Sequence, residues 1–325
     1  MTEYHSTVRE KGRAGWLIAA IAGLLLVSPV TFAEESAVID SLDNLSLEGL
    51  DAQADPAALQ AMLQLAEARS SSGGGGGRGT LMGSGGNVWF AIFRTTDNKQ
   101  RWVRDVTLDG FLDSVRKAWG DGLHLKRVNY ADGRWVGVFV AEKVGCANRN
   151  GFETAGSRSA FLKAIKERWG NGFTLIDVAY GEGTWFGNFC EDPRDNTYTI
   201  ADTWDELSNL ISKKWEKDSQ WHVLSADHGP EGWLAVYVKG ECPGRNGWTI
   251  YDSQREFESA LRSSNDDGFA VRNMAYTDGN WVAMRCEEDT GNIYETAATW
   301  PELKKKISKR WNQGLDLIAI DYGRR

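Results

Sequence analysis

From Trp89 onward, the apolar positions of this chain fall into the same order five times, with copies opening at Trp89, Trp135, Trp185, Trp233 and Trp281. Each copy reads as a Trp-led strand, a second aromatic strand, an amphipathic helix and a further strand ending near a Tyr. The helices are the clearest element. Thr107, Ser157, Thr203, Ser253 and Thr299 each stand four residues before an apolar residue, namely Phe111, Phe161, Leu207, Phe257 and Leu303. A Ser or Thr there accepts a hydrogen bond from an orphan amide of the first turn. Glu206, Glu256 and Glu302 follow three residues later and predict capping boxes. The same face continues at Val115, Ile165, Ile211, Leu261 and Ile307, then at Trp119, Trp169, Trp215 and Trp311, with Asn265 breaking the series. Lys or Arg in the last turn and Gly122, Gly172 and Gly314 beyond it mark the ends.

After each helix the pattern alternates with period two, as in Leu123 and Leu125, then slips by one to Val128 and Tyr130. Such a slip predicts a β-bulge at about residues 126–127 and at the equivalent positions. Asp132-Gly133, Glu182-Gly183 and Asp278-Gly279 predict tight turns into the next Trp strand. The expected unit is therefore ββαβ, in which the last strand of one copy and the first two of the next form an antiparallel meander. A fifty-residue period implies a repeat architecture whose units complete each other's cores. The leftover strand Leu315–Tyr322 is placed to pair beside Trp89. The expected fold is α/β, with five ββαβ repeats closed as an α/β propeller; an open, curved stack is the alternative.

Upstream of the repeats the chain changes character. Arg9, Lys11 and Arg13 precede an apolar run from Trp16 to Val27 and a small-residue end at Ala33, the order of a secretory signal peptide over residues 1–33. The run is short for a membrane span, which needs about 20 apolar residues; an uncleaved anchor is the alternative. Residues 34–69 carry eight acids against the single base Arg69 and show amphipathic spacing at Leu59, Met62, Leu63 and Ala66. They read as an acidic helical tail or a disordered leader. Residues 70–87 form a Gly/Ser-rich linker, which spans about 20–25 Å on average. The overall charge of −8 thus belongs to the tail, and residues 88–325 form a nearly neutral repeat domain without the basic footprint of a nucleic-acid binder.

Cys146 and Cys190, like Cys242 and Cys286, are 44 residues apart, and both pairs recur with similar surroundings 96 residues on. An exported chain with four cysteines predicts disulfides Cys146–Cys190 and Cys242–Cys286, and a periplasmic or extracellular location. No CxxC or neighbouring His supports a metal site at them.

The candidate chemistry is sparse. His124 and His222 share one strand position and His228 replaces the strand-end Tyr, so all three read as structural. No phosphate loop, nucleophile elbow or cofactor motif is present, and no cofactor is expected. The penteins, five-fold ββαβ enzymes, have a similar order of elements but use a late Cys with a His; here Cys286 has an expected partner and no His follows it. Most of the fifteen tryptophans hold repeated core positions. Trp204 and Trp300 occur just after the N-cap in only two copies and, with Trp248 on the second strand, are the candidate exposed ligand contacts.

The helix end Arg168-Trp169-Gly170-Asn171-Gly172 and the strand Val178-Ala179-Tyr180-Gly181-Glu182-Gly183-Thr184-Trp185 carry a resemblance. They resemble the tryptophan-rich repeat domain of unknown function found beside plant casein-kinase-like kinases and bacterial caspase-like proteases. That resemblance implies an accessory binding or sensing module and transfers no catalytic residue. The expectation is a non-catalytic module that binds another protein. A carbohydrate-binding protein using exposed tryptophans is the alternative, and an uncharacterised pentein-like enzyme the third reading. No nucleic acid and, after signal cleavage, no membrane span are expected. The exported protein is expected to start near residue 34; mass spectrometry finding an intact Met1 on it would assign the leader as an anchor instead.

Overall fold

The computed structural model describes residues 86–325, apart from 97–98, 142–145, 147, 193 and 289. The signal, tail and almost all of the linker expected from the sequence lie outside the described residues. The remainder is an α/β structure of five three-stranded sheets. In the first, β2 (Gln100–Asp105), β4 (Arg134–Ala141) and β3 (Leu123–Ala131) lie in the order β2-β4-β3, and α1 (Leu108–Gly120) joins β2 to β3. The second holds β5 (Asn150–Ala155), β7 (Thr184–Glu191) and β6 (Phe173–Gly181) with α2 (Arg158–Gly170). The third holds β8 (Asn196–Ala201), β10 (Gly232–Lys239) and β9 (Trp221–Gly229) with α3 (Trp204–Lys217). The fourth holds β11 (Asn246–Tyr251), β13 (Asn280–Glu287) and β12 (Phe269–Thr277) with α4 (Gln254–Asp266). The fifth combines β14 (Ile293–Ala297), β1 (Asn87–Arg94) and β15 (Asp316–Arg324), with α5 (Trp300–Trp311) between β14 and β15.

The expected meander does not form. The Trp strand pairs with the strand that feeds its own helix, so β4 pairs with β2 and β3, while β5 belongs to the next sheet. The reason lies in the crossover. A helix returning the chain to the same sheet joins two parallel strands, and the slot between them accepts one antiparallel strand that hydrogen-bonds to both. The Trp strand fills that slot in every unit, and the chain then leaves for the next sheet; two of these links, β4 to β5 and β10 to β11, carry Cys146 and Cys242.

Local signals otherwise act as the residues dictate. All five predicted Ser or Thr caps accept from the residue three positions on, such as Gly110 and Ala160. The reciprocal capping box is complete at Thr299 and Glu302. Asp132, Glu182 and Asp278 have φ of 53°, 49° and 50°, each followed by a positive-φ glycine, which is the geometry of a hairpin turn. The ladder shifts register between Leu125 and Arg127, between Leu175 and Asp177, and between Val271 and Asn273. The same shift leaves Leu224 and Ile318 unpaired in β9 and β15. Both expected disulfides are present, with Cα–Cα separations of 5.5 and 5.4 Å.

The five leading tryptophans are at most 1% exposed. No unit buries its helix alone. Phe111 and Val115 of α1 cluster with Ala179 and Phe186 of the second sheet. Leu303 and Ile307 of α5 cluster with Ala131, Val136 and Val138 of the first. β1 pairs with β15 at Trp89–Tyr322, so the first and last described strands lie side by side as expected. Glycines set the approach of neighbouring units: a Cβ at Gly181 would overlap the Tyr130 ring, and one at Gly323 the Tyr276 ring. The Gly181→Ala variant is therefore expected to unfold about 1–3 kcal/mol more easily in urea. Gly156→Ala, which meets nothing within 4 Å, should change little; equal effects would remove this account of the junction.

Candidate functional site

The three candidate tryptophans are not alike. Trp300 is 5% exposed and packs at 4.7 Å from Trp89 and 4.9 Å from Trp102, with the Arg104 guanidinium 5.0 Å from its ring centre. The expectation of an exposed contact is therefore not met at Trp300. Its first-turn position looks outward on a helical wheel, but the indole folds back over the Trp strand. Trp204 and Trp248 are half-buried and meet edge to face at 5.3 Å, with Trp233 behind Trp204 at 4.9 Å.

The histidines are also engaged within the fold. His222 Nδ1 accepts from the Cys242 amide at 2.7 Å, and burial lowers its pKa. His228 packs at a tilt against Trp233 at 5.2 Å, where other copies place Tyr. All four cysteines are consumed in disulfides.

Residues that depart from the repeat collect instead along the edge strands β3, β6, β9, β12 and β15. Side chains of the next unit meet the free amides of each of these strands. Just before the bulge, Leu125 N donates to Asn150 Oδ1 at 2.9 Å, Val223 N to Asn246 Oδ1 at 3.0 Å and Leu317 N to Gln100 Oε1 at 2.8 Å. Beyond it, Val128 N donates to Asp177 at 2.8 Å and Val178 N to Ser225 at 3.2 Å. Near the strand ends, Tyr180 N donates to Asp227 at 2.7 Å, His228 N to Thr277 at 3.1 Å and Tyr276 N to Asp321 at 2.6 Å. Longer links also run between these edge strands. Asn273 Nδ2 donates to Asp177 Oδ1 at 2.8 Å, and Asn129 Nδ2 to the Met274 and Ile320 carbonyls at 3.1 and 2.7 Å.

At the bulges themselves the units differ. Three place an aliphatic residue there, Ile176, Leu224 or Ile318, and two place a cation, Lys126 or Arg272. Ile176 and Leu224 pack with the Cys146–Cys190 disulfide. Arg127, 8% exposed, follows Lys126 and donates from Nε and Nη2 to the Arg272 carbonyl at 3.1 and 2.8 Å. Links between sheets supply further charges nearby. Glu288 pairs with Arg272 at 2.6 Å and with Arg94, and Glu241 pairs with Arg194. Burial, followed by the like charges of Arg127, Arg194 and Arg272, pulls the Lys126 ammonium down to about 8, while Glu241 acts in the opposite direction.

Chemically this is a polar, cation-rich cluster on rigid strands, suited to holding an anionic group. Sequence reasoning located the bulge and passed over what its residues do. The signal was Lys126 and Arg272 standing where three other copies carry an aliphatic side chain. Among the described residues, no group of three His, Cys, Asp or Glu side chains is placed to hold a metal. Also among these residues, no helix is long and apolar enough to cross a membrane. Compared with known protein families, characterised proteins and solved structures, the chain matches none.

The buried carboxyls give the junctions a pH dependence. Burial raises Asp227 to about 6, against the amide hydrogen bonds that oppose it, and raises Asp177 and Asp321 in the same direction. A carboxyl raised in the folded state holds its proton there after the unfolded chain has released it, so stability falls as pH climbs from about 4 through about 6. For Asp227 alone that decline is on the order of 2–3 kcal/mol. Urea unfolding should show a shallower decline for Asp227→Asn than for the parent chain; superimposable pH profiles would clear this carboxyl of the effect.

Proposed function

We propose that the five sheets surround a common axis as an α/β propeller and that the exported chain is a non-catalytic module that binds another protein. Support for the arrangement comes from the order of contacts between these edge strands: β3 meets β6, β6 meets β9, β9 meets β12, β12 meets β15, and β15 meets β3. The Trp89–Tyr322 pairing joins the first and last described strands within the fifth sheet.

One observation carries the functional reading. The charged residues that break the repeat gather where the links between sheets meet the bulges, on a scaffold whose own aromatics are committed to packing. Variable polar residues held by a rigid framework are the usual form of a binding face. With the cysteines paired and the histidines engaged in the fold, the chemistry on display is that of recognition. Two disulfides fit a non-reducing compartment, and the basic-apolar leader narrows this to the periplasm or the extracellular space. In this reading the acidic segment 34–69, on its Gly/Ser-rich linker, supplies a second contact to the partner.

Affinity capture from an envelope extract tests the proposal, comparing the parent chain, a chain lacking residues 34–69 and an Arg94→Ala/Arg272→Ala variant. A partner enriched by the parent and reduced in both altered chains is the expected result. Equally empty captures from all three would count decisively against it.

A further inference from the structure

We infer that Lys126, Arg127 and Arg272 form a site for a carboxylate or phosphate oxyanion at the bulge end of β3 and β12. The inference rests on the reading of that end as the binding face and gives its ligand chemistry.

Three observations carry it. First, Arg127 is 8% exposed, yet among the described residues its guanidinium donates to main-chain carbonyls only, those of Arg272 and Lys126. An arginine cannot shed its charge, and a buried cation contacting no carboxylate is costly. Second, Arg272 Nη2 is bound to Glu288, but its Nε is buried without an acceptor among the described residues. Third, the Lys126 side chain is partly accessible and has no hydrogen bond or ion pair among the described residues.

Among the described residues, the acids around the cluster do not fill this gap. Glu288 is shared between Arg94 and Arg272, and Glu241 is engaged by Arg194. Asp177 reaches Arg127 only through its field, because its oxygens accept from Val128 N and Asn273 Nδ2. Arg194 is also held by Asp192, so Lys126, Arg127, Arg272, Arg94 and Arg194 face Glu288, Glu241, Asp177 and Asp192, which leaves one cation in excess among the described residues. Burial first, and these like charges after it, lower the affinity of Lys126 for its proton. One oxyanion beside its ammonium relieves the excess and gains charge-assisted hydrogen bonds.

Calorimetric titration of the exported chain with glutarate and, separately, inorganic phosphate at low ionic strength is the test. At least one probe is expected to bind saturably, and which one does assigns the ligand as carboxylate or phosphate. Lys126→Met should weaken that binding by about tenfold or more, while Lys126→Arg and the exposed control Lys163→Met retain it. Acetylation of Lys126 at pH 8, read by mass spectrometry in the parent chain, should be slowed by the same probe, a readout that needs no variant to fold. Absence of saturable binding for both probes, or binding unaffected by Lys126→Met, overturns the site. Partner capture that persists without probe binding refutes the anion site alone. Probe binding with no partner in any extract refutes the protein-binding reading and leaves the anion site standing.

Discussion

Satisfying the sheet edges that face the neighbouring units is the constraint on which the rest of this structure depends. A three-stranded sheet leaves each of its two edge strands with a row of amides that no ladder reaches, and burying such a row without partners costs about 1–3 kcal/mol per group. Here β3, β6, β9 and β12 each offer amides to side chains of the following unit, and Leu317 of β15 offers its amide to Gln100 of the first. Because the acceptors are side chains, each unit must hold a fixed register against its neighbour. Asn150, Asp177 and Thr277 therefore do for the assembly what a sheet ladder does within one sheet.

This solution shapes the apolar core as well. These edge strands approach closely enough for edge amides to reach a neighbour's Asp or Asn only where the next strand carries a small residue beneath the aromatic. Gly181 under Tyr130 and Gly323 under Tyr276 provide that clearance. The helices then fill the wedge between sheets, and their apolar faces complete a core that includes the adjacent sheet. Polar and apolar terms thus favour the same spacing, the consistency across levels that gives a sequence one structure.

The elements that repetition makes local were legible in the chain. The caps, the hairpin turns, the bulges and the cysteine pairs each depend on residues within one unit or on the period itself. Strand order was harder to read, since alternation in β4 is the same whether its free edge meets β2 or β5. The exposure of Trp300 was misread because a first-turn indole on a wheel faces outward, and only the proximity of Trp89 and Arg104 turns it in. Lys126 and Arg127 were least legible of all. Their environment is set by Arg272, nearly three periods away in sequence, and no local pattern announces that meeting.

The composition of the fifth sheet also bears on when the body becomes a folded object. Its central strand is β1, while both of its partners, β14 and β15, come from the opposite extreme of the repeat array. Trp89 consequently waits for Tyr322, and the α5 core waits with it. Pairings between such remote segments form late and slowly. A chain made in its natural order therefore stays unsealed until its last strand is available, and four of its five sheets can assemble before the first Trp strand finds its place.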